Sequence, residues 1–199
     1  MLKKISYMTA GESHGKGLIG IIEGIPAGMN ITEEYIEKDL LRRMQGHGRG
    51  GRMKIEKDHA EIFSGVRHAV TLGSPISLLI KNFDWVNWED RMATGKPKKE
   101  HRKVSMPRPG HADLAGVMKY GLDDIRNVLE RSSARETAMR VAIGAVCRKL
   151  LEEVGITVGS RVYQIHNIVD NTPVSNDMSL KELNDTVDAS PVRCFDKDA

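Results

Sequence analysis

Two cysteines in 199 residues, Cys147 inside an apolar stretch and Cys194 in a distant segment, exclude a disulfide-built scaffold. Aromatic residues make up only 5% of the chain, which leaves few platforms for stacking nucleic-acid bases. No apolar run approaches the roughly 20 residues that cross a bilayer; Ile76-Ser77-Leu78-Leu79-Ile80 is among the longest. The opening Met1-Leu2-Lys3-Lys4-Ile5-Ser6 lacks the long apolar stretch and small-residue cleavage site of a secretory signal, so a cytoplasmic protein is expected. A metal site is not expected either, because no two His, Cys, Asp or Glu residues stand at a recognised ligand spacing with support elsewhere.

What is present describes a soluble globular chain, with 29% charged and 40% hydrophobic residues and enough length for one domain with a core. The net charge of +3 is modest but unevenly placed. Arg42, Arg43, Arg49, Arg52, Lys54 and Lys57 form one basic cluster and Lys96, Lys98, Lys99, Arg102, Lys103 and Arg108 another, whereas acids gather after Asp170. Such clusters suit anionic ligands, a small polyanion or a nucleic acid.

Along the chain, Ile5 to Thr9 and Leu18 to Ile22 read as strands around the polar turn Gly11-Glu12-Ser13-His14-Gly15. Gly15-Lys16-Gly17-Leu18-Ile19-Gly20 matches the dinucleotide-binding pattern in form, but that pattern must open a helix, and β-branched residues follow. Thr32 with Glu33 and Glu34 predicts the start of an amphipathic helix facing Ile36, Leu40, Leu41 and Met44 inward. Four glycines in Gln45-Gly46-His47-Gly48-Arg49-Gly50-Gly51-Arg52 predict a loop. Ile55 to Val66 and Ser74 to Ile80 read as strands of an antiparallel hairpin or meander, and 82 to 103 as a long polar loop, a candidate lid. Arg108-Pro109-Gly110-His111 is a rigid turn into a short helix through Tyr120. The spacing of Ser133 and Glu136 predicts a capping box opening a helix, buried nearly all round, that ends near Glu153. Two serines between Arg131 and Arg135 would aim free amides and guanidiniums at a phosphate or carboxylate. Ile156 to Ile165 alternates as a strand, and Ser179 with Glu182 is a second capping box. Strands and helices mixed with antiparallel connections predict an α+β fold of a single domain over 1–199 that stops in mid-pattern.

His14 and His111 each stand beside glycine in a tight polar turn, where an imidazole is open to a ligand and can move a proton near neutral pH. Gly11-Glu12-Ser13-His14-Gly15 has the spacing of a nucleophile elbow, but the strand and helix that such an elbow needs are absent.

Three long motifs, Gly11-Glu12-Ser13-His14-Gly15, Arg108-Pro109-Gly110-His111-Ala112-Asp113 and Arg131-Ser132-Ser133-Ala134-Arg135-Glu136-Thr137-Ala138, together resemble those of chorismate synthases, in the same order. Glu23-Gly24-Ile25-Pro26, Arg42-Arg43, Phe63-Ser64-Gly65-Val66 and Lys119-Tyr120-Gly121 extend the resemblance along the chain. It implies helices layered between antiparallel sheets in a β-α-β sandwich, and usually a homotetramer. It also implies 1,4-elimination of phosphate from 5-enolpyruvylshikimate 3-phosphate, with reduced FMN, no net redox change and in some cases NADPH to reduce the flavin. The family's histidines map onto His14, expected to protonate the departing phosphate, and His111, expected near the flavin N1. Ser13, Arg43, Arg49, Arg108 and Arg135 are the expected substrate- or NADP-binding residues, and Arg131, Ser132 and Ser133 the expected flavin-binding ones. The family's chains run further and supply more flavin contacts and an acidic catalytic residue near N5, so this chain is expected to be an incomplete N-terminal portion with little activity alone. A contrasting expectation is an RNA- or polyanion-binding module using the 46–52 loop; no nucleic-acid or membrane partner is expected of the enzyme.

Overall fold

The computed structural model describes residues 4–48 and 55–196. A four-stranded antiparallel sheet orders its strands β1-β2-β6-β3, built from β1 (Ser6–Gly11), β2 (Gly17–Glu23), β6 (Ile76–Lys81) and β3 (Glu61–Ser64). Period-two alternation sends Leu18, Gly20 and Ile22 of β2 and Ile76, Leu78 and Ile80 of β6 to one face. That face is covered by α4 (Glu136–Glu153), which packs in turn on α1 (Glu33–Met44). The core joins those strand residues to Ile36 and Leu40 of α1 and to Ala138, Met139, Ala142, Ile143, Ala145 and Val146 of α4. Gly20 permits the close approach, because a Cβ there would stand 2.5 Å from the Met139 sulfur. This is the expected α+β layering of helices on an antiparallel sheet.

Local signals held where the partners are local. Thr32 caps α1 by accepting the Tyr35 N–H at 3.2 Å. The Ser179–Glu182 box forms at α5 (Leu180–Asp188), with N–H···O distances of 3.2 and 2.9 Å in the two directions. His68 and Ala69, both at positive φ, make the tight turn between β4 (Val66–Arg67) and β5 (Val70–Thr71).

Five expectations are corrected. The Ser133–Glu136 capping box does not form: the chain arrives already coiled from α3 (Arg126–Leu129), and the residue before α4, Arg135, has helical angles and no side-chain cap. A box needs an extended N-cap residue. Glu136 instead accepts from the Thr9 hydroxyl at 2.7 Å and Arg140 Nε at 2.8 Å. Second, α4 buries one broad face, leaving Gly144 exposed and Val141, Leu150 and Leu151 half-buried. Cys147 sits at that margin. Third, α1 buries the stripe Ile36, Asp39 and Leu40 rather than Leu41, which is half exposed; the buried Asp39 carboxylate is matched by Arg148 at 2.7 Å. Fourth, residues 156–163 form no strand. Asn184 of α5 takes their backbone instead, meeting Ser160 N–H at 3.3 Å and Val158 C=O at 3.2 Å. Only β7 (Gln164–Ile165) pairs, with β8 (Ile168–Val169). Similarly, the strand expected from Ile55 contracts to β3.

No helix of the described residues is long and apolar enough to cross a membrane, and no cluster of three or more metal-ligating side chains occurs among them.

Candidate active site

The turn between β1 and β2 is pinned to the end of α3 by one residue, Glu130. Its carbonyl accepts the Ser13 N–H at 3.0 Å, and its carboxylate accepts the His14 N–H at 2.8 Å. The same carboxylate lies 2.8 and 3.1 Å from His14 Nδ1 and accepts from Arg126 at 3.0 Å. Burial pushes the Glu130 carboxyl up, but the His14 ring and backbone N–H, with Arg126, outweigh it and hold it below its ordinary range. The His14 ring stacks on Trp88 with centroids 4.0 Å apart, and the guanidiniums of Arg91 and Arg126 lie over the same indole at 5.4 and 5.2 Å. His14 Nε2 faces Asp84 at 3.9 Å, too far for a hydrogen bond.

Trp88 reaches His14 because the 82–103 segment, though polar, is folded on itself. A 3₁₀ turn spans Phe83–Asn87, and Asp90 accepts the Lys98 N–H at 2.5 Å and holds the His101 ring at 2.8 Å.

The next two residues after Glu130 open onto a second feature. Arg131 and Ser132 line a cleft of about 470 Å³ together with Ala112, Gly116 and Tyr120 from the α2 region (α2, Asp113–Tyr120) and Val128 from α3. That volume falls in the range of small-molecule sites. A Cβ on Gly116 would strike Val128, so the glycine lets the two helices close on each other. The Ser132 hydroxyl and one Arg131 nitrogen, Nη1, are enclosed without a hydrogen-bond partner, while Arg131 Nη2 donates to Thr9 at 2.8 Å. Nη1 lies 3.6 Å from the Glu136 carboxylate, which leaves the Ser132 hydroxyl as an enclosed group without a partner at the wall of a mainly apolar cleft, a lining that fits a flat ring system with polar edges, as a flavin has. His111 is exposed in the turn just before Ala112. The turn is tied down by buried Asp113, which accepts the Arg108 N–H at 3.0 Å and its Nε and Nη2 at 2.8 Å each. Those bonds hold the Asp113 carboxyl down at about 2.

The other anticipated residues fall elsewhere. Arg135 is buried against Asp58, Glu56 at 3.5 Å and the Asn82 side-chain oxygen at 2.8 Å. Arg43 reaches the same Asp58 at 3.1 Å and also meets Thr137 and the Ala134 carbonyl. Asp58 thus gathers two guanidiniums into one ionic knot behind the site. Ser133 Oγ accepts the Arg135 N–H at 3.3 Å, and the amides from 136 to 138 are bonded to carbonyls of 133 to 135, so the expected sheaf of free amides does not exist there. Arg49, and with it most of the 46–52 loop, lies outside the described residues; the His47 N–H meets the Pro191 carbonyl at 2.7 Å.

Sequence reasoning missed Glu130, Asp84, Trp88 and Asp58. The i,i+4 spacing of Arg126 and Glu130 was readable, but it describes a solvated surface pair as readily as this buried one. Nothing local to Trp88 or Asp58 marks their distant partners.

A model of the chorismate synthase family matches residues 5–199. The chorismate synthase of Listeria welshimeri is 53% identical over 194 residues, covering 96% of this chain and 50% of that protein. That of Syntrophomonas wolfei is 54% identical over 193 residues, with 96% and 49% covered. A crystal structure of chorismate synthase superposes with a TM-score of 0.75 at 42% identity, over 98% of this chain and 50% of that one. The chain therefore spans about half the length of these relatives, and the RNA-binding reading of the 46–52 loop finds no support among them. On the extent of that match and on motifs that meet around Glu130, this chain belongs to the chorismate synthase family.

Proposed function

We propose that this chain is the N-terminal part of a chorismate synthase and carries its proton-donor and part of its flavin site. The full protein eliminates phosphate from 5-enolpyruvylshikimate 3-phosphate in an anti-1,4 sense to give chorismate. The observation that supports this reading is the sequence-adjacent pairing of Glu130, which holds His14, with Arg131 and Ser132, which line the cleft beside it. His14 donates the proton that lets phosphate depart, and Trp88 and Glu130 keep its ring from turning away. Arg131 and Ser132 would hold reduced FMN, with His111 in the exposed turn that leads into Ala112 of the cleft wall and Ser133 supporting the Arg135 backbone. The flavin, when bound, supplies reversible electron donation with no net redox change. Ser13, Arg43, Arg49 and Arg108 belong to the substrate or NADP side, while Arg135, expected there too, is instead taken up by Asp58 and Glu56 as a buried support. The protein is a cytoplasmic homotetramer without nucleic-acid or membrane partners, and NADPH is the reductant where it reduces its own flavin.

Turnover of 5-enolpyruvylshikimate 3-phosphate by the full-length protein with chemically reduced FMN tests this. His14→Ala and His111→Ala should each lower kcat by about 10²-fold or more with folding retained. The 199 residues alone should show little or no turnover. Undiminished rates in both variants would overturn the assignment.

A further inference from the structure

We propose that Glu130 is a positioning residue that keeps a proton on His14 Nδ1 whether the ring is charged or neutral, so that the imidazolium delivers its Nε2 proton to the departing phosphate oxygen and is left as the neutral Nδ1–H tautomer. The proposal rests on His14 being the proton donor and adds which nitrogen acts and what selects it.

Three observations converge. Glu130 is 1% exposed and ionised, so it can only accept hydrogen bonds, and a nitrogen 2.8 Å from it must carry the hydrogen. The carboxylate cannot swing aside, because it also accepts the His14 backbone N–H at 2.8 Å and Arg126 at 3.0 Å. A half-turn of the ring about Cβ–Cγ would put Cδ2 where Nδ1 now meets Glu130 and forfeit that hydrogen bond, while the 4.0 Å stack on Trp88 holds the plane of the ring. Nε2 is left at 3.9 Å from Asp84 with no hydrogen bond, the edge at which a substrate oxygen can approach. The donating nitrogen is therefore chosen by a carboxylate on the far side of the ring, the logic by which an acid behind a catalytic histidine sets its tautomer.

Heteronuclear NMR of the full-length protein carrying ¹⁵N-labelled histidine reads the tautomer directly. At a pH where His14 is neutral, Nδ1 should carry the hydrogen and Nε2 should not; the opposite pattern would overturn the proposal without any variant. Glu130→Gln should then lower kcat about 10²-fold while KM for the substrate changes less than about threefold, with Glu130→Asp recovering part of the loss. Unchanged kcat in Glu130→Gln, or a loss confined to KM, would refute it. An inert His14→Ala would instead refute the proton-donor reading, so the two failures are distinguishable. Should Glu130→Gln fail to fold, the wild-type tautomer still decides.

Discussion

Arg131 and Arg135 are one helical turn apart in sequence and have opposite fates. Arg135 is 6% exposed, and Asp58, Glu56 and Asn82 take up its guanidinium. Arg131 stands half-open at a cleft, with one nitrogen, Nη1, lacking a hydrogen bond and meeting the Glu136 carboxylate only at ion-pair distance. Identical chemistry has become a buried strut in one place and a partly open cleft wall in the other, and what differs is which distant segment folds over each. Glu56, Asp58 and Asn82 close on Arg135, whereas among the described residues Thr9 and Glu136 are the ones whose polar groups reach the Arg131 guanidinium, the latter at 3.6 Å.

The sharpest way to break that contrast is Arg135→Met. Removing the cation takes the ion pair from buried Glu56 and one of the two guanidiniums from Asp58, which keeps Arg43, and this chain should lose about 3 kcal/mol, read as a lower denaturant midpoint at unchanged slope. If Arg135→Met cost no more than a surface substitution, the knot would not be structural.

The turn beneath His111 gives an intermediate effect that depends on pH. Asp113 is held at about 2 against an ordinary 3.8, chiefly by Arg108, so the native state binds its proton less readily than the unfolded chain. The stability from this pair is fully present above about pH 4 and is lost as pH falls from there towards 2. Urea midpoints measured at pH 5 and pH 2.5 should converge between wild type and Asp113→Asn at the lower value; a constant gap would contradict the pairing.

The smallest change in stability belongs to Ser132→Ala. An enclosed hydroxyl without a partner contributes nothing to hold the fold, so the variant should match or slightly exceed wild type, within about 0.5 kcal/mol. Its FMN affinity in the full-length protein should nonetheless fall, measured by quenching of flavin fluorescence. Loss of stability with unchanged FMN affinity would reverse the roles drawn for Arg131 and Arg135.

Much of the fold was legible where the signal and its consequence share a few residues. The β1–turn–β2 hairpin, the Thr32 cap and the Ser179 box needed only their own neighbours. The Ser133 box carried the same letters as the Ser179 box and failed, because Glu136 is drawn to Thr9, 127 residues away, and the preceding turn is already helical. In the site, the turn placing His14 beside glycine was readable, whereas Glu130 was not, since its burial depends on β1, α3 and the 82–103 segment meeting.

By itself the sequence determined the family's three motifs, the places of β1, β2, α1 and α4 along the chain, and the identity of the two turn histidines, because each is a property of residues within hydrogen-bonding or face-sharing reach along the chain. Tertiary structure alone decided that Arg135 is buried and Arg131 open, that Trp88 stacks on His14, and that one carboxylate holds the histidine's ring and backbone together. The physical reason is that desolvation, ion pairing and stacking are set by groups 70 or more residues distant, whose approach no local pattern encodes.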